Sequence, residues 1–258
     1  MGTAIITGAS KGIGRAMAEE LANRKTDLLL IARNEDLLKE TTELFSSKYG
    51  IKANYIAIDL AIEGAAKKIY DCCIEKKYNI HILINNAGYG LSGHFENYTL
   101  EEHLAVMRIN MNVIVELCSY FLPMLRDQEK AYILNIASQT SFQAVPGLNI
   151  YAASKAFLQS FSRGLRYELR NTNVSVTVAC PGSTDTDFAN RAKVGAKALK
   201  AAKTFNMNPA SVAEAAINAM YSGKAETTIG LINKITKFMV WLMPKKVSEK
   251  VAGDIYEV

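Results

Sequence analysis

Residues 3–14 read TAIITGASKGIG, an apolar segment that runs straight into a turn containing Gly8, Gly12 and Gly14. The apolar segment predicts a strand over residues 3–7, and the spacing of apolar side chains after Gly14 predicts a helix through Arg24. Glycine lets a backbone turn tightly and approach a phosphate, and the first turn of a helix offers unpaired N–H groups. This stretch therefore predicts a dinucleotide-binding unit. A glycine turn that serves packing alone is the alternative.

Strand-like and helix-like segments alternate along the rest of the chain. Apolar runs predict further strands at residues 27–32, 51–58, 80–84, 130–136, 174–179 and 227–229. Helical patterns predict helices after Asn34, up to about residue 77, at 101–125, at 151–170 and from Pro209. Such alternation is typical of a parallel sheet covered by helices on both faces. We therefore expect an α/β protein with a doubly wound, mostly seven-stranded parallel sheet (a Rossmann fold) in three α/β/α layers.

Composition agrees with one globular domain over residues 1–258. The chain is 49% hydrophobic and 21% charged, and no linker divides it. The net charge of +5 comes without a dense run of Lys and Arg, so we expect no nucleic-acid partner. No uninterrupted apolar run reaches the roughly 20 residues of a membrane-spanning helix.

Cysteine and histidine patterns give no sign of a metal site. The four cysteines form no CxxC motif, and the three histidines stand alone in the sequence; they are Cys72, Cys73, Cys118 and Cys180, and His81, His94 and His103. Scattered cysteines of this kind are typical of reduced, buried thiols in a cytoplasmic protein. We predict a cytoplasmic location and no bound metal.

The end of the second predicted strand bears on which dinucleotide binds. An acidic residue there would accept the ribose 2′-OH of NAD, but the chain has Ala32 and Arg33, and Lys11 lies in the glycine turn. Two cations suit the 2′-phosphate of NADP. Glu35 and Asp36 follow, but carboxylates in a first helical turn have a structural role. The sequence favours NADP(H) over NAD(H).

Polar residues end the third and fourth predicted strands, where open α/β sheets bind ligands. Asp59-Leu60 follows the third strand and is a candidate contact for the adenine. Asn86, Ala87 and Gly88 follow the fourth. The alternative for Asp59 is a helix cap, and the alternative for Asn86 is a polar turn that satisfies local backbone groups.

Tyr151 and Lys155 form a YxxxK pair on a predicted helix, with Ser138 upstream. Positions i and i+4 lie on one helix face. A cation about 6 Å from a phenol stabilises the phenolate by roughly 3 kcal/mol, so we expect the pKa of Tyr151 to fall towards neutrality. The hydroxyl of Ser138 is a candidate to hold a substrate oxygen against Tyr151.

Together, these motifs resemble the short-chain dehydrogenase/reductase family, in its compact single-domain branch. The matching residues are TGxxxGIG at Thr7–Gly14, NNAG at Asn85–Gly88, Ser138, YxxxK at Tyr151–Lys155 and Pro181-Gly182. The resemblance implies oxidation or reduction at a carbonyl or alcohol carbon, with a nicotinamide cofactor. It also implies a homodimer or homotetramer, assembled through the helices at 101–125 and 151–170.

The resemblance implies four catalytic residues. Tyr151 would be the general acid/base, Ser138 would position the substrate oxygen, and Lys155 would hold the nicotinamide ribose and lower the Tyr151 pKa. Asn110 would hold a water that links Lys155 to solvent, with Asn112 as a rival for that role.

The resemblance also implies the residues that line the cofactor. Thr186 would bind the nicotinamide carboxamide, with Thr184 as the alternative. The full predicted set is Gly8, Ser10, Lys11, Gly12, Ile13, Gly14, Arg33, Asp59, Leu60, Asn86, Ala87, Gly88, Tyr151, Lys155, Pro181, Gly182, Thr184 and Thr186.

The leading function is NADPH-dependent reduction of a small-molecule ketone or aldehyde. Family analogy places the substrate walls at residues 89–95, 139–150 and a helical lid at 183–206, and apolar residues there favour a lipophilic carbonyl such as a 3-oxoacyl thioester, a steroid or a long-chain ketone. The candidate walls are Phe95, Phe142, Val145, Leu148, Phe188 and Phe205. A non-catalytic NADP(H) sensor and a membrane-recruited scaffold are the alternatives.

Three roles are open for the amphipathic C-terminal tail, which begins at about residue 231. It would cover the mouth of the pocket, pack on a partner subunit or lie on a membrane surface.

Overall fold

Seven parallel strands form one sheet in the order β3-β2-β1-β4-β5-β6-β7. The computed structural model describes residues 2–258, with the side chain of residue 203 excepted, so the first residue of the predicted domain lies outside it. The strands are β1 Thr3–Thr7, β2 Asp27–Ala32, β3 Ala53–Ala57, β4 Ile80–Asn85, β5 Ala131–Ile136, β6 Val174–Pro181 and β7 Glu226–Ile229. The predicted doubly wound parallel sheet is confirmed.

Eleven α-helices lie in the part of the chain that the structure describes. They are α1 Gly12–Asn23, α2 Glu35–Tyr49, α3 Ala65–Glu75, α4 Leu100–Met107, α5 Val113–Arg126, α6 Asn149–Glu168, α7 Phe188–Arg191, α8 Ala196–Thr204, α9 Pro209–Tyr221, α10 Leu231–Leu242 and α11 Lys245–Tyr256. Helices α1, α2 and α9 pack on one face of the sheet and α3, α5 and α6 on the other. Because both faces are covered, the strands are continuous apolar runs.

The predicted long helix at 101–125 is interrupted. A π-helical turn at Arg108–Asn112 separates α4 from α5. By length and composition, Leu100–Arg126 is also the one helical segment of residues 2–258 that would suffice to cross a membrane. However, Leu117 and Phe121 of α5 are fully buried against the sheet, as in the core helix of a globular protein.

Two segments of the C-terminal half each divide into a pair of helices. The predicted lid at 183–206 contains two short helices, α7 and α8, and the tail beyond β7 folds into α10 and α11. Pro244 separates α10 from α11 with φ −56° and ψ 135°, an extended conformation that no α-helix contains.

The sheet reverses its winding direction between β1 and β4, which lie side by side. Connections from β1 lead towards β3, and those from β4 lead towards β7. Their helices therefore diverge and leave a crevice outside the carboxyl ends of the strands, the usual ligand site of open α/β sheets. Thr7 and Asn85 end the two strands at this point.

Candidate active site

One cavity of about 1170 Å³ lies in this crevice. It exceeds the roughly 300–1000 Å³ of an ordinary small-molecule pocket, so it has room for two ligands. Three of the predicted catalytic residues, Ser138, Tyr151 and Lys155, line it. So do all the predicted cofactor residues, namely Gly8, Ser10, Lys11, Gly12, Ile13, Gly14, Arg33, Asp59, Leu60, Asn86, Ala87, Gly88, Tyr151, Lys155, Pro181, Gly182, Thr184 and Thr186.

The glycine turn passes so close to its neighbours that side chains cannot fit. A Cβ on Gly14 would lie 2.2 Å from the backbone oxygen of Gly8, and Gly8 itself has a φ of +67°. Helix α1 begins at Gly12, and Lys11 before it provides no side-chain cap. The N–H groups of the first turn thus remain available to an anion, so the turn fits the pyrophosphate of a dinucleotide.

Asn86 ties the ends of β1 and β4 together. Its Nδ2 donates to the backbone oxygens of Thr7 at 2.9 Å and Gly8 at 3.2 Å, and its own N–H donates to Thr7 Oγ1 at 3.0 Å. The side chain therefore does what the polar-turn alternative describes, while it also lines the cavity. Its predicted contact with a cofactor stays a prediction.

Arg33 and Asp59 face each other at the far end of the cavity. Arg33 Nη1 lies 3.7 Å from Asp59 Oδ2, and both groups are solvent-accessible, so the pair contributes about 0–1 kcal/mol. Asp59 Oδ1 accepts a hydrogen bond from the N–H of Ala61 at 2.9 Å, a turn-stabilising role close to the alternative given above. The cation of Arg33 is thus loosely held and available to a phosphate.

Arg191 of α7 is a cavity residue that the sequence did not reveal. Its guanidinium carbon lies 4.5 Å from the centre of the Tyr89 ring. Burial lowers the pKa of Arg191, and the nearby cation of Arg33 lowers it further. The lid therefore brings a second guanidinium towards Arg33. Only tertiary packing creates this proximity, because the two residues are far apart in sequence.

Ser138 and Tyr151 meet at the centre of the cavity. Ser138 follows β5, and its hydroxyl, which accepts from the N–H of Thr140 at 3.2 Å, lies close enough to Tyr151 of α6 to lower the pKa of the phenol. The Tyr151 ring packs against Phe188, with ring centres 5.0 Å apart. A Cβ on Gly90 would come within 3.1 Å of the same ring. The hydroxyl is therefore fixed beside Ser138, as the motif spacing predicts.

Lys155 lies behind Tyr151 rather than against its hydroxyl. Its Nζ donates to the backbone oxygen of Ile136 at 2.8 Å and lies 5.7 Å from the Tyr151 ring centre. Burial lowers the pKa of Lys155 to about 8. Burial also raises the pKa of Tyr151 to about 12, although the nearby Ser138 hydroxyl lowers it in part. This direction is opposite to the predicted fall of the Tyr151 pKa towards neutrality, because burial has the largest effect on the phenol and Lys155 is not among the groups that shift it.

Asn110 lies in the π-helical turn, behind the cavity wall rather than in it. It is fully buried; its Oδ1 accepts from the N–H of Tyr89 at 3.1 Å, and its Nδ2 donates to the oxygen of Tyr89 and to Ser154 Oγ, each at 2.9 Å. Its rival Asn112 is exposed. The side chain of Asn110 thus joins the loop after β4 to α6. Its role towards water stays a prediction.

Four of the six candidate wall residues lie in the cavity. Phe142, Val145, Leu148 and Phe188 line the cavity. Phe95 and Phe205 do not, because both are exposed, and Phe95 stacks instead on His103 with ring centres 4.3 Å apart.

Helices α10 and α11 supply walls that the sequence did not assign to residues. Ile235 and Met239 of α10, and Val251 and Tyr256 of α11, line the cavity. Tyr256 packs in the same apolar cluster as Tyr151, and burial raises its pKa to about 12. The amphipathic spacing of the tail is the sequence signal that points to such a wall.

No group of three metal-ligating side chains lies together among residues 2–258. All four cysteines are free thiols, and three of them are buried.

Known proteins are similar to this chain over most of its length. The family model described as short chain dehydrogenase matches residues 2–196. Ketoacyl reductase HetN of Nostoc sp. (strain PCC 7120) is 31% identical over 93% of this chain and 82% of its own. A short-chain dehydrogenase from Sphingobium yanoikuyae in complex with NADPH has a TM-score of 0.82 and 27% identity, over 95% of this chain and 96% of its own. A short-chain dehydrogenase/reductase from Burkholderia phymatum in complex with NAD has a TM-score of 0.82 and 25% identity, over 92% of this chain and 91% of its own.

Proposed function

Because the chain belongs to the short-chain dehydrogenase family, we propose that it is an NADPH-dependent reductase of a lipophilic ketone or aldehyde. The family assignment makes it an oxidoreductase that acts on CH–OH and C=O groups with a nicotinamide cofactor. The direction, the choice of NADPH and the substrate class are the proposal. The observation that supports it best is that Ser138 and Tyr151 share one cavity with the glycine turn.

The chain's own groups have distinct tasks in this reaction. The nicotinamide cofactor, when bound, supplies the hydride. Tyr151 holds its proton, because burial raises its pKa, and donates it to the substrate oxygen as that oxygen gains charge. The Ser138 hydroxyl donates a hydrogen bond to the same oxygen. The Lys155 ammonium adds positive potential behind the pair.

Replacing Tyr151 by Phe tests the catalytic assignment. We expect Tyr151→Phe to reduce kcat at least about a hundredfold, since it removes the proton donor but keeps the packing against Phe188. NADPH binding, measured by fluorescence, should change less than about threefold. Near-normal turnover in the variant would refute the assignment.

The preference for NADPH rests on Arg33 and Lys11, since similar structures hold either NADPH or NAD. The measurement is kcat/KM with each cofactor, for the wild type and for Arg33→Asp. We expect the wild type to favour NADPH and the variant to lose NADPH activity by roughly tenfold or more. Arg170→Asp, at an exposed site on α6's C-terminal side, is the matched control. An NADH preference in the wild type, or unchanged NADPH activity in Arg33→Asp, would contradict the proposal.

The apolar walls support a lipophilic substrate, and the similarity to HetN, a ketoacyl reductase, supports the 3-oxoacyl class. NADPH oxidation should be measured against aldehydes, diketones, 3-oxoacyl thioesters and steroid ketones. We expect the highest kcat/KM with a long-chain or polycyclic ketone. Tight NADPH binding without turnover of any of them would favour the sensor function instead.

We further propose a homodimer or homotetramer in the cytoplasm. Three exposed apolar residues on α4 and α5 support assembly through these helices; they are Leu100, Leu104 and Val115. The free, mostly buried thiols fit a reducing compartment. Light scattering of the purified protein should give a mass of two or four chains, and a monomer would contradict the proposed assembly.

A further inference from the structure

Helix α10 turns two of its polar side chains, Asn233 and Lys237, towards the protein. Asn233 is buried, and its Nδ2 donates to the backbone oxygen of Ile229 at 2.6 Å. One turn later, Lys237 is ion-paired with Glu226 of β7 and lies 4.4 Å from the centre of the Phe142 ring. A helix on the surface of a soluble protein normally has the opposite arrangement. Polar contacts therefore fix α10 in place and leave its apolar side facing outwards.

The outward side of α10 is mostly apolar, with exposed Lys234 among the apolar side chains, on a helix of 12 residues, roughly 18 Å long. Trp241 is 77% exposed and Phe238 is 59% exposed, with ring centres 6.0 Å apart. The other large exposed apolar side chains of the helix are Leu231, Ile232, Ile235, Met239 and Leu242. Soluble proteins rarely expose contiguous apolar patches above a few hundred Å², so this surface has the character of a docking face.

The charges nearest this face are predominantly positive, since residues 231–250 contain five lysines and one acidic residue, Glu249. Residues 231–242 contain two lysines and no Asp or Glu. Three more lysines, all exposed, follow on α11; they are Lys245, Lys246 and Lys250. A second copy docked face to face about a two-fold axis would bring these cations together. Anionic lipid headgroups would instead complement them, at roughly fivefold in affinity per lysine.

The apolar face also continues into the cavity. Ile235, Met239 and Val251 are each about half exposed, and each also lines the cavity. The mouth of the cavity therefore opens beside the docking face. We propose that α10 docks the protein on an anionic lipid surface and brings the cavity mouth to the apolar part of that membrane.

The single tryptophan of the chain, Trp241, lies at the C-terminal end of this face and reports its surroundings without a label. The experiment titrates the full-length protein with vesicles of phosphatidylcholine containing phosphatidylglycerol, and with vesicles of phosphatidylcholine alone. We expect a blue shift of Trp241 emission and protection from iodide with the anionic vesicles. Added salt should weaken this binding, because counter-ions screen the lysines.

Two variants separate the apolar and the charged contributions. Phe238→Ser keeps the tryptophan and should weaken partitioning into anionic vesicles roughly tenfold or more. Its matched control is Ile62→Ser, which removes an apolar side chain of similar exposure, 55%, before α3. This variant should leave partitioning into anionic vesicles unchanged. The double variant Lys245→Gln/Lys246→Gln should weaken binding to anionic vesicles and leave the weak binding to neutral vesicles unchanged.

Three outcomes would overturn the proposal. The first is an unshifted, iodide-accessible Trp241 with both kinds of vesicle. The second is equal binding to anionic and neutral vesicles. The third is a blue shift without lipid that disappears on dilution, which would show that a second copy covers α10. None of these measurements needs turnover, so failure here is distinct from failure of the proposed reductase activity.

Discussion

The proton donor and the cation beside it are both buried, and this dominates their chemistry. Lys155 is 3% exposed, and its one hydrogen bond goes to a backbone oxygen. Water would stabilise the ammonium better than this site does, so the folded protein disfavours the charged form. The site thus keeps the charge of Lys155 at a cost in stability, which the pH dependence of unfolding should reveal.

We expect the wild type to gain stability between about pH 8 and pH 10.5, relative to Lys155→Met. The folded pKa is about 8 and the unfolded value is 10.5, so the unfolded chain binds the extra proton in this range and stability rises with pH. The gain should reach up to about 3 kcal/mol. Urea unfolding at several pH values measures it, with Lys68→Met at an exposed site as the control. A constant difference between wild type and Lys155→Met would contradict the burial argument.

The sequence could predict that Ser138, Tyr151 and Lys155 lie together, but not the electrostatics of the cavity that they line. Glycine spacing and the YxxxK pair are local patterns, and the structure brings Ser138, Tyr151 and Lys155 into one cavity as they indicate. The Tyr151 pKa depends on how much of the fold covers the phenol, including Tyr256 from the far end of the chain. The position of Arg191 in the cavity could not be predicted either, because it too depends on how the fold packs.

Among the helices, the π-helical turn between α4 and α5 is the element that the sequence does not reveal. The apolar pattern of 101–125 is regular, and the extra residue in the turn shows only in the backbone. The turn directs Asn110 towards α6, where it joins Tyr89 to Ser154. Such π-helical turns are often found at functional sites.

Asn110→Ala should destabilise the protein by about 2–4 kcal/mol and lower kcat, because it leaves buried polar groups of Tyr89 and Ser154 unpaired. The neighbouring Asn112→Ala is the matched control, since Asn112 is exposed and its loss should cost less than about 0.5 kcal/mol. Chemical unfolding and steady-state kinetics measure both effects. Equal behaviour of the two variants would show that the turn does not organise the site.

Helix α11 closes against a glycine of the loop before α6. Gly147 has a φ of +77°, and a Cβ there would lie 2.6 Å from Tyr256 Cβ. Gly147→Ala should therefore cost more than the roughly 1 kcal/mol of a left-handed alanine, and should expose α11 to proteolysis. Gly50→Ala is the matched control, with a φ of +65° and nothing within 4 Å. Similar losses in both variants would mean that α11 moves aside freely.

Taken as one body, the molecule combines a well-packed sheet with a loosely packed cover. The architecture could be predicted because strands buried on both faces leave strong apolar runs. The arrangement of the cover, which α7 and α8 form, could not be predicted in the same way. Little of this segment is buried beyond Ala192 and Ala198, so its sequence carries a weak packing signal.

We expect NADPH to slow amide hydrogen exchange selectively in residues 188–204. Thr186 precedes α7 and lines the cavity, so a ligand there should stabilise the helices that follow. Amides in β4 and β5 should exchange slowly with or without NADPH. Exchange in 188–204 that NADPH leaves unchanged would show that these helices do not close over the cofactor.

The open mouth beside α10 has a kinetic consequence. If the substrate enters past Ile235 and Met239 from a bilayer, its effective concentration is the number of substrate molecules per lipid molecule, not per litre of water. Inert lipid added to a fixed quantity of substrate would then dilute the substrate at the surface and slow turnover, while its bulk concentration stayed constant. For this protein, surface mole fraction would be the variable that sets the rate.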